Sequence, residues 1–111
     1  MEKLLGKNVG IALAMRVFSY IDSNGDKIEH VINHVGDQFW TCKGKLHRCD
    51  GPAAKYATGK KIWFQHGLCH REDGPAVIMP SGIKGWFYNN ECIECSSQQE
   101  FERLIKLKAF W

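Results

Sequence analysis

The chain has no long apolar run, little net charge and an odd number of cysteines. No stretch approaches the roughly 18 apolar residues typical of a membrane-spanning helix, so we predict no membrane span. The 15 basic and 12 acidic residues leave a formal net charge of +3, which is too small to indicate a nucleic-acid-binding protein by itself. A disulfide framework would leave one of the five cysteines unpaired. This composition favours a protein of the reducing cytoplasm.

Known catalytic signatures are missing as well. The chain has no nucleophile elbow, no phosphate-binding glycine loop and no carboxylate pair in a recognisable setting. Cys92 and Cys95 form one C-x-x-C pair, which supplies two of the four ligands of a typical zinc site, but a second C-x-x-C pair does not occur. We therefore predict no catalytic residue, no cofactor and no metal. Zinc held by these two cysteines together with other Cys or His side chains is the less favoured alternative.

What the chain does contain is a repeat of 23 residues. Three tryptophans keep this spacing, and each has a glycine four residues before it. The pairs are Gly36 with Trp40, Gly59 with Trp63, and Gly82 with Trp86. Segment 47–53 (HRCDGPA) returns as segment 70–76 (HREDGPA). Agreement at so many positions indicates one structural unit used more than once.

Each unit predicts two short strands and two turns. Segment 61–65 (KIWFQ) is rich in β-branched and aromatic residues, as strands are. Residues 66–67 (HG) are typical of a two-residue turn in which glycine takes a positive φ. Segments 68–71 and 76–79 predict the strands that follow, and residues 73–75 (DGP) predict the turn between them.

Short strands joined by tight turns predict a mainly β fold, an antiparallel meander of β-hairpin repeats. We expect strands 38–42, 61–65 and 84–88 to lie in one sheet, each separated from the next by one intervening strand. Equivalent residues would then lie about 9.5 Å apart, and the three tryptophans would align down one face. We predict Trp63 to be the most buried of them, because the other two lie nearer the ends of the repeat.

The N-terminal end predicts a cap that differs from the repeats. Residues 16–21 and 27–32 predict two strands of a hairpin around the turn 23–26 (SNGD). Residues 4–15 fit a helix or a strand equally well. We interpret residues 1–35 as an N-terminal cap and hairpin within a single domain that covers residues 1–111.

The C-terminal end predicts an α-helix. Ser97 with Glu100 fits a capping box, and apolar residues follow at helical spacing. We expect residues 97–111, within the C-terminal segment 96–111, to form this helix and to pack on the sheet that the repeats build.

Residues 36–95 resemble the variant MORN repeat, a 23-residue β-hairpin unit. The resemblance is carried by segments 44–53 (GKLHRCDGPA) and 67–76 (GLCHREDGPA) and by the Gly-x-x-x-Trp strand between copies. Two copies are complete, whereas the third has Asn90 in place of glycine and no His-Arg after it. The LHR-x-DGPA form is similar to repeats that are common in bacteriophages and large viruses. The resemblance implies the hairpin fold and a location in the host cytoplasm if the protein is viral, but fold alone does not supply an activity.

The recurring polar and aromatic residues have two interpretations. A repeat must preserve its fold in every unit, which favours a structural role for residues that recur. Arginine also suits carboxylates and phosphates, and tryptophan can stack on bases. The candidate binding residues are Arg48, Arg71, His47, His70, Trp40 and Trp86. The candidate structural residues are Trp63, Asp50, Gly51, Pro52, Asp73, Gly74 and Pro75. We expect Gly74 to hold a φ that a β-branched residue cannot reach.

These features predict a small, non-enzymatic binding protein. The resemblance to repeats of bacteriophages and large viruses implies the leading hypothesis, a phage-type accessory protein that binds and inhibits a bacterial host protein, such as a component of a defence system. The alternative is a binder or sponge of an anionic ligand, either nucleic acid or a signalling nucleotide, on the aromatic and arginine face. Open sheet edges and one uncovered sheet face also predict a homodimer.

Overall fold

The computed structural model describes residues 15–108, so the ambiguous segment 4–15 lies outside the described residues except for its last residue. The strands are β1 Arg16–Ile21, β2 Lys27–Ile32, β3 Gln38–Cys42, β4 Lys45–Leu46, β5 Ala54–Lys55, β6 Lys61–Ile62, β7 Phe64–Gln65, β8 Leu68–Cys69, β9 Val77–Ile78, β10 Lys84–Tyr88 and β11 Glu91–Ile93. One helix follows them, α1 Gln98–Lys108.

The chain folds as a mainly β antiparallel meander. Nine of the eleven strands within residues 15–108 form one sheet in the order β1-β2-β3-β5-β6-β9-β10-β11, with β4 paired to β3. Strands β7 and β8 pair with each other. The predicted order is therefore confirmed, because β3, β6 and β10 are each separated from the next by one strand. The predicted N-terminal hairpin is confirmed as well, since β1 pairs with β2 along its whole length.

Two kinds of turn join the strands, and both return at intervals of 23 residues. The two-residue turns have positive φ at both positions: Lys43 52° and Gly44 79°, His66 51° and Gly67 84°, Asn89 47° and Asn90 74°. Such a pair of angles is typical of the type I′ turn, whose twist matches that of the flanking strands. The longer turns close with an amide-to-carbonyl hydrogen bond, from Asn33 to Asp37, from Tyr56 to Lys60 and from Met79 to Ile83.

The expected continuous strand 61–65 is wrong, because it breaks at Trp63. The first half, β6, pairs with β5 and β9, whereas the second half, β7, pairs with β8. Among the described strands, none pairs with both β6 and β7, so no neighbour holds the two halves in one line. Strand β3 stays continuous because β2 runs beside four of its five residues. The predicted strands 68–71 and 76–79 are also shorter, at two residues each.

The core is small and is centred on β2 and β3. Its buried cluster consists of Ile28, Trp40, Cys42 and Ala53. Trp40 is 5% exposed, whereas Trp63 and Trp86 are only partly buried. The expectation that Trp63 is the most buried tryptophan is therefore wrong. The physical reason is that β2 lies beside β3 and covers Trp40 with the stacked ring of His30, 4.1 Å away between centroids.

Helix α1 packs against the C-terminal end of the sheet. The side chain of Phe101 is fully buried. The indole N–H of Trp86 donates a hydrogen bond to Oε1 of Gln98 at 2.8 Å. Lys108 pairs with Glu91 of β11 at 2.7 Å, so the helix is tied to the sheet at both of its ends. No helix within residues 15–108 is long and apolar enough to cross a membrane.

The start of α1 was predicted correctly from the sequence. The amide of Glu100 donates to Oγ of Ser97 at 3.2 Å, as in a capping box. The Glu100 side chain differs from that motif, because it accepts from the amide of Ser96. The described helix ends at Lys108, and the last three residues of the predicted helix 97–111 lie outside the described residues.

We expect Gly44→Ala to lower the free energy of unfolding by about 1 kcal/mol and Gly44→Asn to lower it less. An added Cβ at Gly44 meets nothing within 4 Å, so only its φ of 79° opposes a side chain. Asn90 holds a similar angle in the equivalent turn. Urea unfolding of both variants measures the two costs. Equal destabilisation by alanine and asparagine would contradict this account of the turn.

Candidate functional site

Arg71 is fixed by three contacts at once. Its Cζ lies 4.0 Å from the centroid of the Trp63 ring. Its Nε donates to Oδ1 of Asp73 at 2.9 Å, and its Nη1 donates to the carbonyl oxygen of Pro75 at 3.1 Å. Arg48 makes the same three contacts one unit earlier, to Trp40 (3.9 Å), Asp50 (3.0 Å) and Pro52 (3.2 Å). Charge-assisted hydrogen bonds and cation–π contact both hold the guanidinium in place.

A glycine lies against each guanidinium as well. A Cβ built on Gly74 would lie 2.6 Å from Cζ of Arg71, and a Cβ built on Gly51 would lie 2.9 Å from Cζ of Arg48. Neither glycine has a φ in the left-handed region, so the expected conformation of Gly74 is wrong. Glycine is needed there because the guanidinium approaches so closely that no side chain fits between it and the backbone.

His47 and His70 link successive hairpins. Nδ1 of His47 accepts a hydrogen bond from the amide of His66 at 3.0 Å, and Nδ1 of His70 accepts one from the amide of Asn89 at 2.9 Å. Both amides belong to the first residue of a type I′ turn. Burial, together with the nearby His66, lowers the pKa of His47. Protonation would also place a second donor against the His66 amide, so the neutral ring is the form that fits.

Two loops of the same sequence pattern line a groove of about 540 Å³. Residues 48–52 form one side of this inter-loop groove and residues 70–73 form the other, with Trp63 and Gln65 completing the lining. Nε2 of Gln65 donates to the carbonyl oxygen of Arg48 at 2.8 Å. The groove is therefore built between equivalent positions of consecutive units.

The exposed charge of the inter-loop groove is negative, although two arginines line it. The Arg48 and Arg71 side chains are each only 23% exposed. The carboxylates are far more exposed: Asp50 74%, Asp73 88% and Glu72 63%. Each arginine is already neutralised by the aspartate of its own loop. Glu72 accepts a hydrogen bond from Nε2 of His70 at 3.0 Å, and its carboxylate adds a third negative charge to the lining. A ligand that enters the groove therefore meets carboxylates before it meets guanidinium groups.

The structure separates the candidate binding residues into three sets. Arg48, Arg71 and His70 line the inter-loop groove. Trp40 and His47 are buried. The ring of Trp40 is also covered by His30 and by the Arg48 guanidinium, which argues against stacking on a ligand. Trp86 lies under α1, where its indole is bound to Gln98.

Sequence reasoning missed three residues of the groove, Cys49, Gln65 and Glu72. None of them recurs at 23-residue spacing, and Cys49 and Glu72 hold the same position in consecutive units. The signal that could have found Glu72 is this variable position inside the otherwise constant His-Arg-x-Asp-Gly-Pro pattern. A residue that differs between units can change the surface of the groove without changing the pattern that both units share.

Two of the cysteines, Cys69 and Cys95, hold their thiols in the unreactive form, and neither lines the groove, whose one cysteine is the exposed Cys49. Cys69 is buried, and burial raises the pKa of its thiol to about 11. Burial, together with the nearby Glu100 carboxylate, also raises the pKa of Cys95. Both thiols are therefore protonated at neutral pH, whereas thiolate is the reactive form.

Among residues 15–108, one cluster has the side chains of a possible metal site. A carboxylate oxygen of Asp22, one of Asp26 and a ring nitrogen of His47 lie within 4.8 Å of one another. Because Nδ1 of His47 accepts the His66 amide, the neutral ring carries its proton on Nε2 and has no free lone pair for a metal. Asp22 Oδ1 already accepts the amides of Asn24 and Asp26. We assign no metal to this cluster.

No family model, curated protein or solved structure matches the chain.

The contact between Gly74 and Arg71 predicts a coupled effect on stability. We expect Gly74→Ala to lower the free energy of unfolding by about 1–3 kcal/mol, because the new methyl group displaces the guanidinium. In an Arg71→Ala background the same change should cost at least about 0.5 kcal/mol less. Denaturant unfolding of the two single variants and the double variant measures the coupling. Additive costs would show that the glycine is required for another reason.

The buried His47 predicts a loss of stability in mild acid. The unfolded chain takes up a proton at this residue near the ordinary value of 6.5, whereas the folded chain resists it. The unfolded state therefore binds more protons, and stability falls as the pH drops below 6.5. His47→Asn keeps an acceptor for the His66 amide and does not titrate, so its stability should depend less on pH over this window. An unchanged pH dependence, measured by thermal unfolding, would assign the effect to other groups.

Proposed function

We propose that this protein is a small, non-catalytic binding protein whose inter-loop groove takes a basic segment of a partner protein. The observation that carries the proposal is the difference in exposure along the groove, where the two guanidinium groups are largely covered and the three carboxylates are largely exposed. Each carboxylate is bonded within its own loop through one oxygen: Oδ1 of Asp50 to Arg48, Oδ1 of Asp73 to Arg71, and Oε2 of Glu72 to His70. A lysine or arginine side chain of the partner would bind the other oxygen of each carboxylate. The groove volume of about 540 Å³ lies within the usual range for ligand sites.

Binding of a partner protein agrees with the role that the variant MORN resemblance implies. In that role the chain is a phage-type accessory protein of the host cytoplasm, which binds and inhibits a bacterial protein such as a defence component. The groove adds a chemical class to the partner: the bound segment is basic. Inhibition requires only that this protein stays bound to its partner, so no chemical reaction at the groove is needed.

An anionic ligand is the second candidate, because Arg48 and Arg71 both line the groove. A phosphate would have to approach past Asp50, Asp73 and Glu72 and to compete with the aspartates for the guanidinium donors. Like-charge contact of this kind opposes binding. For this reason the basic segment is the better fit.

Two probes separate these candidates. We expect an oligoarginine peptide to shift the indole N–H resonance of Trp63 in isotope-labelled protein, and a single-stranded oligothymidine to leave it unchanged. Glu72→Gln should weaken the peptide about two- to fivefold, as expected for the loss of one exposed charge. Glu94→Gln removes the same charge outside the groove and should leave the affinity unchanged. Binding of the oligothymidine alone would favour the anionic ligand, and binding of neither probe would overturn the groove as the site.

A further inference from the structure

Strand β1 is an exposed edge of the main sheet. All six of its residues are exposed. Of the nine exposed large hydrophobic side chains among residues 15–108, five lie between Met15 and Ile21. In the described part of the chain, β2 is the only strand that pairs with β1. The exposed apolar surface is thus concentrated on one sheet edge.

The outer edge of β1 offers regular backbone groups for a further strand. The amide of Asp22 donates to the carbonyl oxygen of Asp26 across the hairpin turn. Backbone groups alternate direction along a strand, so those of Arg16, Phe18 and Tyr20 point towards β2. The N–H and C=O groups of Val17, Ser19 and Ile21 therefore point outward.

Strand β1 also lacks the devices that block edge pairing. It contains no proline or glycine, and its one charged residue is Arg16 at the first position. Natural edge strands are usually protected by central charges, by proline or by a bulge. An edge that is regular, apolar and unprotected is suited to pairing with another strand.

We propose that two copies of this chain pair antiparallel through β1, with Ser19 on the two-fold axis. In this register Val17 lies opposite Ile21 of the second copy, and Phe18 lies opposite Tyr20 of the second copy. Arg16 then lies opposite Asp22 of the second copy, so each end of the new pair has opposite charges. The dimer extends the sheet across the axis and goes beyond the function proposed for the groove, which needs only one chain.

The charge pattern favours this register over its neighbours. In any antiparallel pairing of two β1 strands, the residues with outward-pointing backbone groups must lie opposite one another. The two-fold axis must therefore pass through a residue of β1, and the alternative registers place it on a residue other than Ser19. A centre on Phe18 places Arg16 opposite Tyr20. A centre on Tyr20 places the Asp22 carboxylate opposite Phe18. Only the centre on Ser19 pairs Arg16 with Asp22 at both ends.

The aromatic contacts of the sheet continue across the proposed interface. Phe18 lies 5.8 Å from the ring of His30, which stacks on Trp40. Tyr20 of the second copy would add an aromatic ring on the same face, next to Phe18. Cross-strand aromatic pairs stabilise antiparallel sheets, so Tyr20 of the second copy would give Phe18 a cross-strand partner on the outer side of β1, where no strand among residues 15–108 pairs.

Light scattering and a mixed-label experiment on the full chain test the dimer. We expect a mass of twice 12.7 kDa and a nuclear Overhauser contact between the methyl groups of Val17 and Ile21. Within one strand these residues are about 13 Å apart, too far for such a contact. In a sample that mixes labelled and unlabelled chains, the contact should appear between chains.

Ser19→Lys places two positive charges together on the axis and should convert the dimer into a folded monomer. Thr58→Lys adds the same charge on an exposed turn and should leave the dimer intact. A monomer at millimolar concentration, a dimer without the Val17–Ile21 contact, or a dimer unaffected by Ser19→Lys would overturn the proposal. None of these results bears on the inter-loop groove, so the two proposals fail separately.

Discussion

The packing of one guanidinium group between a tryptophan and a glycine constrains most of the central part of this fold. Arg71 holds Trp63, which lies between β6 and β7, to the loop after β8, through the indole ring, the Asp73 carboxylate and the Pro75 carbonyl. The loop then returns the chain to the sheet, where the amide of Trp63 bonds to the carbonyl of Ala76. Each strand here is only two residues long, so pairing alone supplies little stability, and the side-chain contacts hold the strands in register.

The same contacts decide what the surface can bind. An arginine whose Nε and Nη1 are hydrogen-bonded within the protein and whose guanidinium lies on an indole ring contributes little positive potential outside the protein, whereas its aspartate stays exposed. The repeated residues thus give the inter-loop groove its shape, and their arginine and aspartate charges nearly cancel. The residues that differ between units, Glu72 and Cys49 in particular, determine its net charge. The charge that the groove presents therefore depends on the positions that are not repeated.

The sequence predicted the architecture well, because spacing and turn chemistry are local properties. The 23-residue period predicted the strand order, and the His66-Gly67 pattern predicted a two-residue turn with a positive φ at glycine. Sequence reasoning was wrong where the outcome depends on neighbours. Trp40 is more buried than Trp63 because β2 lies beside it, and Gly74 is needed for a close contact rather than for its φ. The groove itself could not be predicted, since it lies between loops that are separated by 23 residues.

The central claim is that Arg48 and Arg71 are fixed structural groups whose hydrogen bonds are made within the protein. Side-chain Nε–H resonances in isotope-labelled protein test this most directly, with the exposed Arg103 as an internal reference. We expect the Nε–H groups of Arg48 and Arg71 to exchange slowly with water and to be as rigid as the backbone, whereas that of Arg103 should exchange rapidly. Rapid exchange and high mobility at all three arginines would contradict the account.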